Sequence, residues 1–176
     1  MPVDSQEQLL QITLLNSSAV TTETGGTVVF AVSLLSEPSG EVSVTLSTSD
    51  TSLANIDAPP SRVLTFSDAD WFVDQAVVVK GVDNNYASGR NMVYRVEFTS
   101  ASDDDQYQGL TATYVCANVD DDVAMVLANA AQSGNATALR TTESGASFTV
   151  NLHLTSQPHA WVVVGVASSN EAEADV

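Results

Sequence analysis

Apolar and polar residues alternate along most of the first 120 residues. The segment TVVFAVSLL places Val28 and Phe30 on one face of an extended chain, and NMVYRVEF does the same with Tyr94 and Val96. A period of two over short runs rich in Val and Thr indicates half-buried β-strands. Turn segments such as SEPSG, DAPPS and DNNYASG separate these runs. The pattern therefore predicts an all-β chain without helices.

The spacing of the runs is that of a seven-stranded antiparallel immunoglobulin-like β-sandwich. We expect strands A to G at 9–14, 26–35, 41–49, 61–66, 75–82, 91–100 and 111–119.

The chain also repeats itself. The stretch TTETGG at 21–26 returns as TTESGA at 141–146, and residues 141–176 align with 21–56 without a gap. Of the 36 aligned positions 11 are identical, where chance gives roughly two or three at ordinary compositions. We therefore predict tandem repeats, with residues 1–122 as the first and 123–176 as the N-terminal part, about strands A to C, of a second.

The second copy would leave an apolar face open, because half a sandwich cannot bury its core. We expect either that the chain is part of a longer array or that other chain segments complete the fold.

The charge of the chain is strongly one-sided. It has 22 acidic and 5 basic residues, a formal net charge of −17. This balance argues against binding of nucleic acid or of anionic membranes, and no apolar run reaches the roughly 18 residues of a membrane span. No signal peptide is visible at the start of the chain. A single cysteine, Cys116, excludes an intrachain disulfide.

Acidic residues converge at one end of the predicted sandwich. Loops A–B, C–D and E–F and the end of strand G lie at that end, because consecutive strands run in opposite directions. Clustered carboxylates repel one another unless a cation neutralises them, and calcium suits carboxylate and amide oxygens. Exposed turn acids without an ion are the alternative. The candidate ligands are Glu23, Asp50, Asp83, Asn84, Asp120, Asp121 and Asp122.

Three of these features together resemble the Calx-β domain: a Glu followed by Gly before a long strand, a VDN turn closing a Val-rich strand, and a terminal VDDD. The stretch LTFSDADWFVDQAVVVKGVDNNYASG is similar to Calx-β-like repeats of large surface and adhesion proteins. The resemblance covers most of residues 9–122 and the start of a second unit. It implies a seven-stranded sandwich that binds calcium at the end facing the next domain.

The resemblance also implies roles for individual residues. Glu23, Asp50, Asp83 and 120–122 match acidic ligand positions of the family. Asn84 stands where the family usually has a second Asp, and Ser88 lies near a position where it often has Glu. Both departures lower the ligand charge, so we expect weak binding, about 10⁻⁴–10⁻³ M as in extracellular modules.

Two sequons for N-glycosylation, at Asn16 and Asn135, precede the repeated TTE in equivalent loops. They favour an extracellular or cell-surface glycoprotein. The two histidines, His153 and His159, lie in no setting that would activate a nucleophile, and we expect no enzymatic activity.

These observations predict an extracellular structural and adhesive module of a rod-like surface protein, with calcium rigidifying the junction between repeats. Its partners would be neighbouring repeats of the same protein. The main alternative is a calcium-independent subunit of an extracellular filament or sheath, packed against other copies. A regulatory calcium sensor and an accessory module of a secreted enzyme are further alternatives.

Overall fold

A computed structural model describes residues 9–131, 140–173 and 176, and every regular element in these ranges is a β-strand. They fall into two compact units that part between Asp121 and Asp122, with residues 85–87 grouped in the second. In this described part of the chain no helix is long and apolar enough to cross a membrane. The sequon residue Asn135 lies outside the described ranges.

The first unit is a sandwich of two sheets with nine strands. One sheet has the order β1-β3-β7-β5 and the other β2-β9-β8-β4-β6. Their bounds are β1 Leu10–Leu14, β2 Val20–Thr22, β3 Thr27–Leu34, β4 Val42–Thr48, β5 Ala54–Ala58, β6 Val63–Phe66, β7 Gln75–Gly81, β8 Met92–Ser102 and β9 Thr111–Val119.

All seven expected strands are present, as β1, β3, β4, β6, β7, β8 and β9. The count of seven is nevertheless wrong, because β2 and β5 were not predicted. β2 has only three residues, too few for an alternating pattern, and it forms by parallel pairing with β9. β5 reads ANIDA and shifts register between Ile56 and Ala58 against β7, which interrupts its alternation.

The core lies between the two sheets and is built from alternate residues of the long strands. Phe30 on β3 is fully buried, and its ring centroid lies 5.7 Å from that of Phe98 on β8 and 5.1 Å from that of Tyr114 on β9. At one end of the sandwich, the Tyr107 hydroxyl donates to the Ser36 carbonyl at 2.6 Å. These aromatic contacts connect the two sheets, so the first unit has a hydrophobic core of its own.

Cys116 belongs to this core. It is 2% exposed, and burial raises the pKa of its thiol above the ordinary value. Because the thiolate is the reactive form, we expect no labelling of the native protein by a thiol reagent such as DTNB at pH 8, and labelling of one thiol per chain in denaturant. Rapid labelling without denaturant would contradict this burial.

The second unit contains one strand pair in its described residues. β10 (Val126–Ala131) pairs antiparallel with β11 (Thr149–Leu154), as β1 pairs with β3 in the first unit. The third strand expected in the second copy is absent there, because residues 161–168 form no strand. The corresponding strand β4 is hydrogen-bonded to β6 and β8, whereas the described residues of the second unit contain only the pair β10 and β11.

The repeated TTE stretch folds into the same turn in both units. The Gly25 N–H donates to the Thr22 carbonyl at 2.9 Å, and the Gly145 N–H donates to the Thr142 carbonyl at 2.9 Å. Both glycines have a φ of 88°, a left-handed conformation that favours glycine. The sequence repeat at this turn is therefore also a structural repeat.

Candidate metal centre

The site begins with Glu23, directly after β2. The parallel pairing of β2 with β9 sets Thr22 opposite Val119, and the Glu23 N–H continues this ladder by donating to the Val119 carbonyl at 3.1 Å. Glu23 therefore lies beside the acidic residues that follow β9. The side chain is only 5% exposed, although an ionised carboxylate is costly to bury.

The end of β7 reaches the same place through a close backbone contact. The Gly81 N–H donates to the Gly26 carbonyl at 3.0 Å. A Cβ atom at residue 81 would lie 2.2 Å from the Thr22 carbonyl oxygen and 2.5 Å from Asn118 Oδ1. Only glycine allows this approach, and it places the following loop with Asp83 against the turn that carries Glu23.

Asn118 joins the ends of three strands. It is 1% exposed and lies on β9. Its Oδ1 accepts a hydrogen bond from the Thr21 hydroxyl of β2 at 2.9 Å, and its Nδ2 donates to the Val82 carbonyl after β7 at 3.0 Å. A buried amide that links β2, β7 and β9 fixes the three segments from which the acidic residues emerge.

Three carboxylates meet at this end of the first unit. Glu23, Asp83 and Asp121 each offer an oxygen atom, and these atoms all lie within 4.8 Å of one another. Asp83 and Asp121 are exposed, whereas Glu23 is buried. Two ligands of one calcium ion are at most about 5 Å apart, because each Ca–O bond measures about 2.3–2.6 Å. The spacing of the three oxygens therefore fits a shared calcium ion.

Glu23 is also hydrogen-bonded by its neighbours. The Asp121 N–H donates to Glu23 Oε2 at 3.3 Å, and the Asn84 Nδ2 group donates to Glu23 Oε1. Asn84 was predicted as an oxygen ligand, but as placed it presents its N–H to the carboxylate. Rotation of the amide about its Cβ–Cγ bond would present the oxygen instead.

Asp120 also lies close to Glu23, with carboxylate oxygens of the two residues within 4.8 Å. Asp120 Oδ2 accepts hydrogen bonds from the Ser88 N–H and hydroxyl and from the Gly89 N–H at 2.9 Å. These donors fix the loop between β7 and β8 to the end of β9. Ser88 therefore binds a carboxylate, although the resemblance placed it near an acidic ligand position.

Asp50 was predicted as a ligand but does not belong to the group formed by Glu23, Asp83 and Asp121. It follows β4 at the expected end of the sandwich, but its Oδ1 accepts hydrogen bonds from the Ser52 N–H at 2.9 Å and from the Ser52 hydroxyl at 2.6 Å. These hydrogen bonds lower the pKa of the Asp50 carboxyl, and the one from the Ser52 hydroxyl has the larger effect. Asp122, also predicted, belongs to the second unit.

The sequon at Asn16 lies on an exposed segment after β1. Its Oδ1 accepts from the Val29 N–H at 2.6 Å, and its Nδ2, the atom to which a glycan would be attached, donates to the Thr27 carbonyl at 3.3 Å. Glycosylation of Asn16 and of Asn135 remains a prediction.

Two residues that assemble the site, Gly81 and Asn118, were not predicted from the sequence. The sequence does contain signals for both. Gly81 interrupts the apolar strand QAVVVKG, where a strand glycine often marks a close backbone approach. Asn118 takes an inward position two residues after Cys116, where the alternation calls for an apolar residue.

Comparison with known proteins gives no family for the chain. No family model matches, and no curated protein matches. Among solved structures, the periplasmic chaperone SfaE is 10% identical with a TM-score of 0.47, over 64% of this chain and 58% of that chain. WR4, a C. elegans MSP family member, is 6% identical with a TM-score of 0.42, over 64% and 98%.

The native conformation of E. coli alpha-2-macroglobulin is 10% identical with a TM-score of 0.46, over 72% of this chain and 8% of that chain. The matches thus span 58% of the chaperone and 8% of the macroglobulin. Likenesses this distant carry no argument about function, and the Calx-β resemblance stays a prediction.

Proposed function

We propose that this chain is an extracellular structural module of tandem Calx-β-like repeats, built on immunoglobulin-like β-sandwiches, in which calcium stiffens the junction between repeats of an adhesive, rod-like surface protein. The observation that carries the proposal is the meeting of Glu23, Asp83 and Asp121, whose oxygens lie within 4.8 Å of one another. The sequons and the charge of −17 support an extracellular location.

Electrostatics supports a cation at this site. At 4.8 Å, the upper limit of their separation, two carboxylates repel by roughly 0.9 kcal/mol in water and by about 3.5 kcal/mol at an effective dielectric constant of 20. Glu23 is buried, so part of its hydration is also lost. A divalent cation with oxygen ligands would remove the repulsion and replace the lost hydration.

The ion would act by ordering the chain. Glu23 lies in the turn after β2, Asp83 in the loop after β7, and Asp121 is the last residue of the first unit. A shared ion would therefore fix the segment leaving the first unit to two loops of that unit. This would restrict the directions in which the next repeat can extend.

The alternative, a calcium-independent subunit of an extracellular filament or sheath, is favoured by a different observation. The second unit exposes a run of apolar residues, Trp161–Ala167. In that function the acidic end would be a solvated surface.

Thermal unfolding of residues 1–176 separates these two functions. With a dissociation constant of about 10⁻⁴–10⁻³ M, 10 mM calcium should stabilise the folded state by about 1.4–2.7 kcal/mol. We expect a rise of several degrees in the Tm of the first unit relative to chelator, and a smaller rise with magnesium.

The variant Asp83→Asn should lose this calcium-dependent rise. In chelator it should unfold at the wild-type Tm or slightly above it, because one of three repelling charges is gone. Asp103→Asn is the matched control, an exposed acid in the loop between β8 and β9, and should keep the full calcium response. An equal Tm with calcium and with chelator for the wild type would overturn the calcium proposal and favour the filament.

A further inference from the structure

Lys80 is the only lysine in the sequence, which has 22 acidic and 5 basic residues. It is exposed on β7, opposite Thr27 of β3 and Asn55 of β5. The next residue, Gly81, makes the close backbone contact that brings the end of β7 to the acidic end of the first unit. The same contact therefore fixes the position of the only lysine relative to the carboxylates.

The Lys80 side chain lies over the turn that carries Glu23. A Cβ atom built on Gly25 would be 3.2 Å from Lys80 Cε and 3.9 Å from its Nζ. The side chain thus follows the protein surface, as the apolar stem of a lysine commonly does. Its ammonium group is thereby placed beside a residue that comes only two positions after Glu23.

The ammonium group and two of the three carboxylate residues line one cleft. Glu23, Asp83 and Lys80 form part of its wall, together with the exposed Asp57 of β5. The cleft has a volume of about 480 Å³, which is enough for a cation with several water ligands, since one water occupies about 30 Å³. Residues of both charges therefore share a space that an ion from solution can enter.

A positive charge in this cleft acts both on the carboxylates and on an entering ion. It attracts the carboxylates and so offsets part of their mutual repulsion when no metal is bound. It also repels calcium, with twice the energy of a monovalent cation at the same distance. Lysine suits this role, because its charge is compact and its flexible stem lets it withdraw.

We propose that the Lys80 ammonium is the internal counter-ion of Glu23, Asp83 and Asp121, and that it competes with calcium for these carboxylates. Without calcium the ammonium stabilises the acidic end, and when calcium binds it withdraws. The competition rests on the proposed function, whereas the counter-ion role does not need calcium. Displacement of the lysine also gives a reason for weak calcium binding.

A double-mutant cycle in chelator tests the counter-ion role. Lys80→Gln should lower the Tm of the first unit by about 2 °C or more. It should lower the Tm much less in the Asp83→Asn background, because the two charges interact. Arg62→Gln is the matched control: it removes one exposed positive charge from the loop between β5 and β6, and its effect should be the same in both backgrounds.

Two results would overturn the counter-ion role. The first is additivity of Lys80→Gln and Asp83→Asn. The second is coupling of Lys80 to Asp57 alone, measured with Asp57→Asn, because Lys80 would then belong to an ordinary surface ion pair of β5 and β7.

Calcium titration followed by calorimetry tests the competition. We expect Lys80→Gln to bind calcium about threefold to tenfold more tightly than the wild type, and Arg62→Gln to bind it within about twofold of the wild type. Chemical modification of the only lysine tests the charge independently. Acetylation removes the charge and reductive methylation keeps it, and both also modify the α-amino group. Acetylation should tighten calcium binding, and methylation should not.

The failure of this inference is distinguishable from that of the proposed function. Calcium binding by the wild type with an equal affinity in Lys80→Gln would overturn the competition and leave the calcium site intact. No calcium binding by either protein would overturn the proposed function and the competition with it. The cycle in chelator would still decide the counter-ion role, because it contains no calcium.

Discussion

Replacement of Gly81 by alanine should destabilise the first unit by about 3 kcal/mol or more, although it adds only a methyl group. The new Cβ would lie 2.2 Å from the Thr22 carbonyl oxygen and 2.5 Å from Asn118 Oδ1. Neither neighbour can move easily, because the first is backbone and the second is buried and hydrogen-bonded on both of its polar atoms. The end of β7 must therefore move away from β2 and β9.

Urea unfolding measures this loss of stability, and the calcium-dependent Tm measures its effect on the site. We expect Gly81→Ala to weaken the calcium response as well, since the shift displaces Asp83 from Glu23. Gly40→Ala is the control: its Cβ would meet no atom closer than 3.9 Å, and its stability should change by less than about 0.5 kcal/mol. Equal stabilities of Gly81→Ala and Gly40→Ala would show that the close approach is not rigid.

The long strands could be predicted from the sequence because each carries its own signal. In β4 and β8 buried residues alternate with more exposed ones over seven or more positions, and burial of one face follows from that pattern alone. The end of the sandwich at which the acids gather also follows, since it depends only on the number of strands between loops. The two strands that were not predicted, β2 and β5, both lie within predicted loops at that end. The acids therefore remain at the predicted end of the sandwich.

Which acidic residues come together in the site could not be predicted in the same way. Asp50 lies at the correct end, but its Ser52 neighbour already supplies two hydrogen bonds, a local competition that strand parity cannot show. Asp83 and Asp121 join Glu23 because β2 pairs with β9 and because Gly81 allows a backbone contact. Such contacts depend on tertiary geometry at distances of 2–3 Å, which an alternating pattern does not encode.

The fate of the third strand of the second copy has a similar physical reason. Val162, Val164 and Val166 carry the same alternation as β4, yet residues 161–168 form no strand. A strand exists only through its hydrogen-bonded neighbours, and β4 has two. Alternation therefore predicts the capacity to form a strand, and the available partners decide whether one forms.

Asn118→Ala should destabilise the first unit by about 3 kcal/mol, because it removes a buried side chain that hydrogen-bonds both the Thr21 hydroxyl and the Val82 carbonyl. The Thr21 hydroxyl would lose its 2.9 Å hydrogen bond and the Val82 carbonyl its 3.0 Å hydrogen bond. Asn55→Ala is a suitable control, since its amide is half-buried and makes a single 3.3 Å hydrogen bond to the Thr51 carbonyl. It should cost less than about 1 kcal/mol.

A double-mutant cycle with Thr21→Val shows whether Asn118 acts by joining strands. If the two side chains work as one connection, their effects should be non-additive by about 1 kcal/mol or more. We also expect Asn118→Ala to reduce the calcium-dependent rise in Tm, because β9 would no longer hold Asp121 beside Glu23. Additive stabilities together with a full calcium response would mean that Asn118 only fills the core. The position of the carboxylates would then depend on the β2–β9 ladder and the Gly81 contact, without the amide that links them.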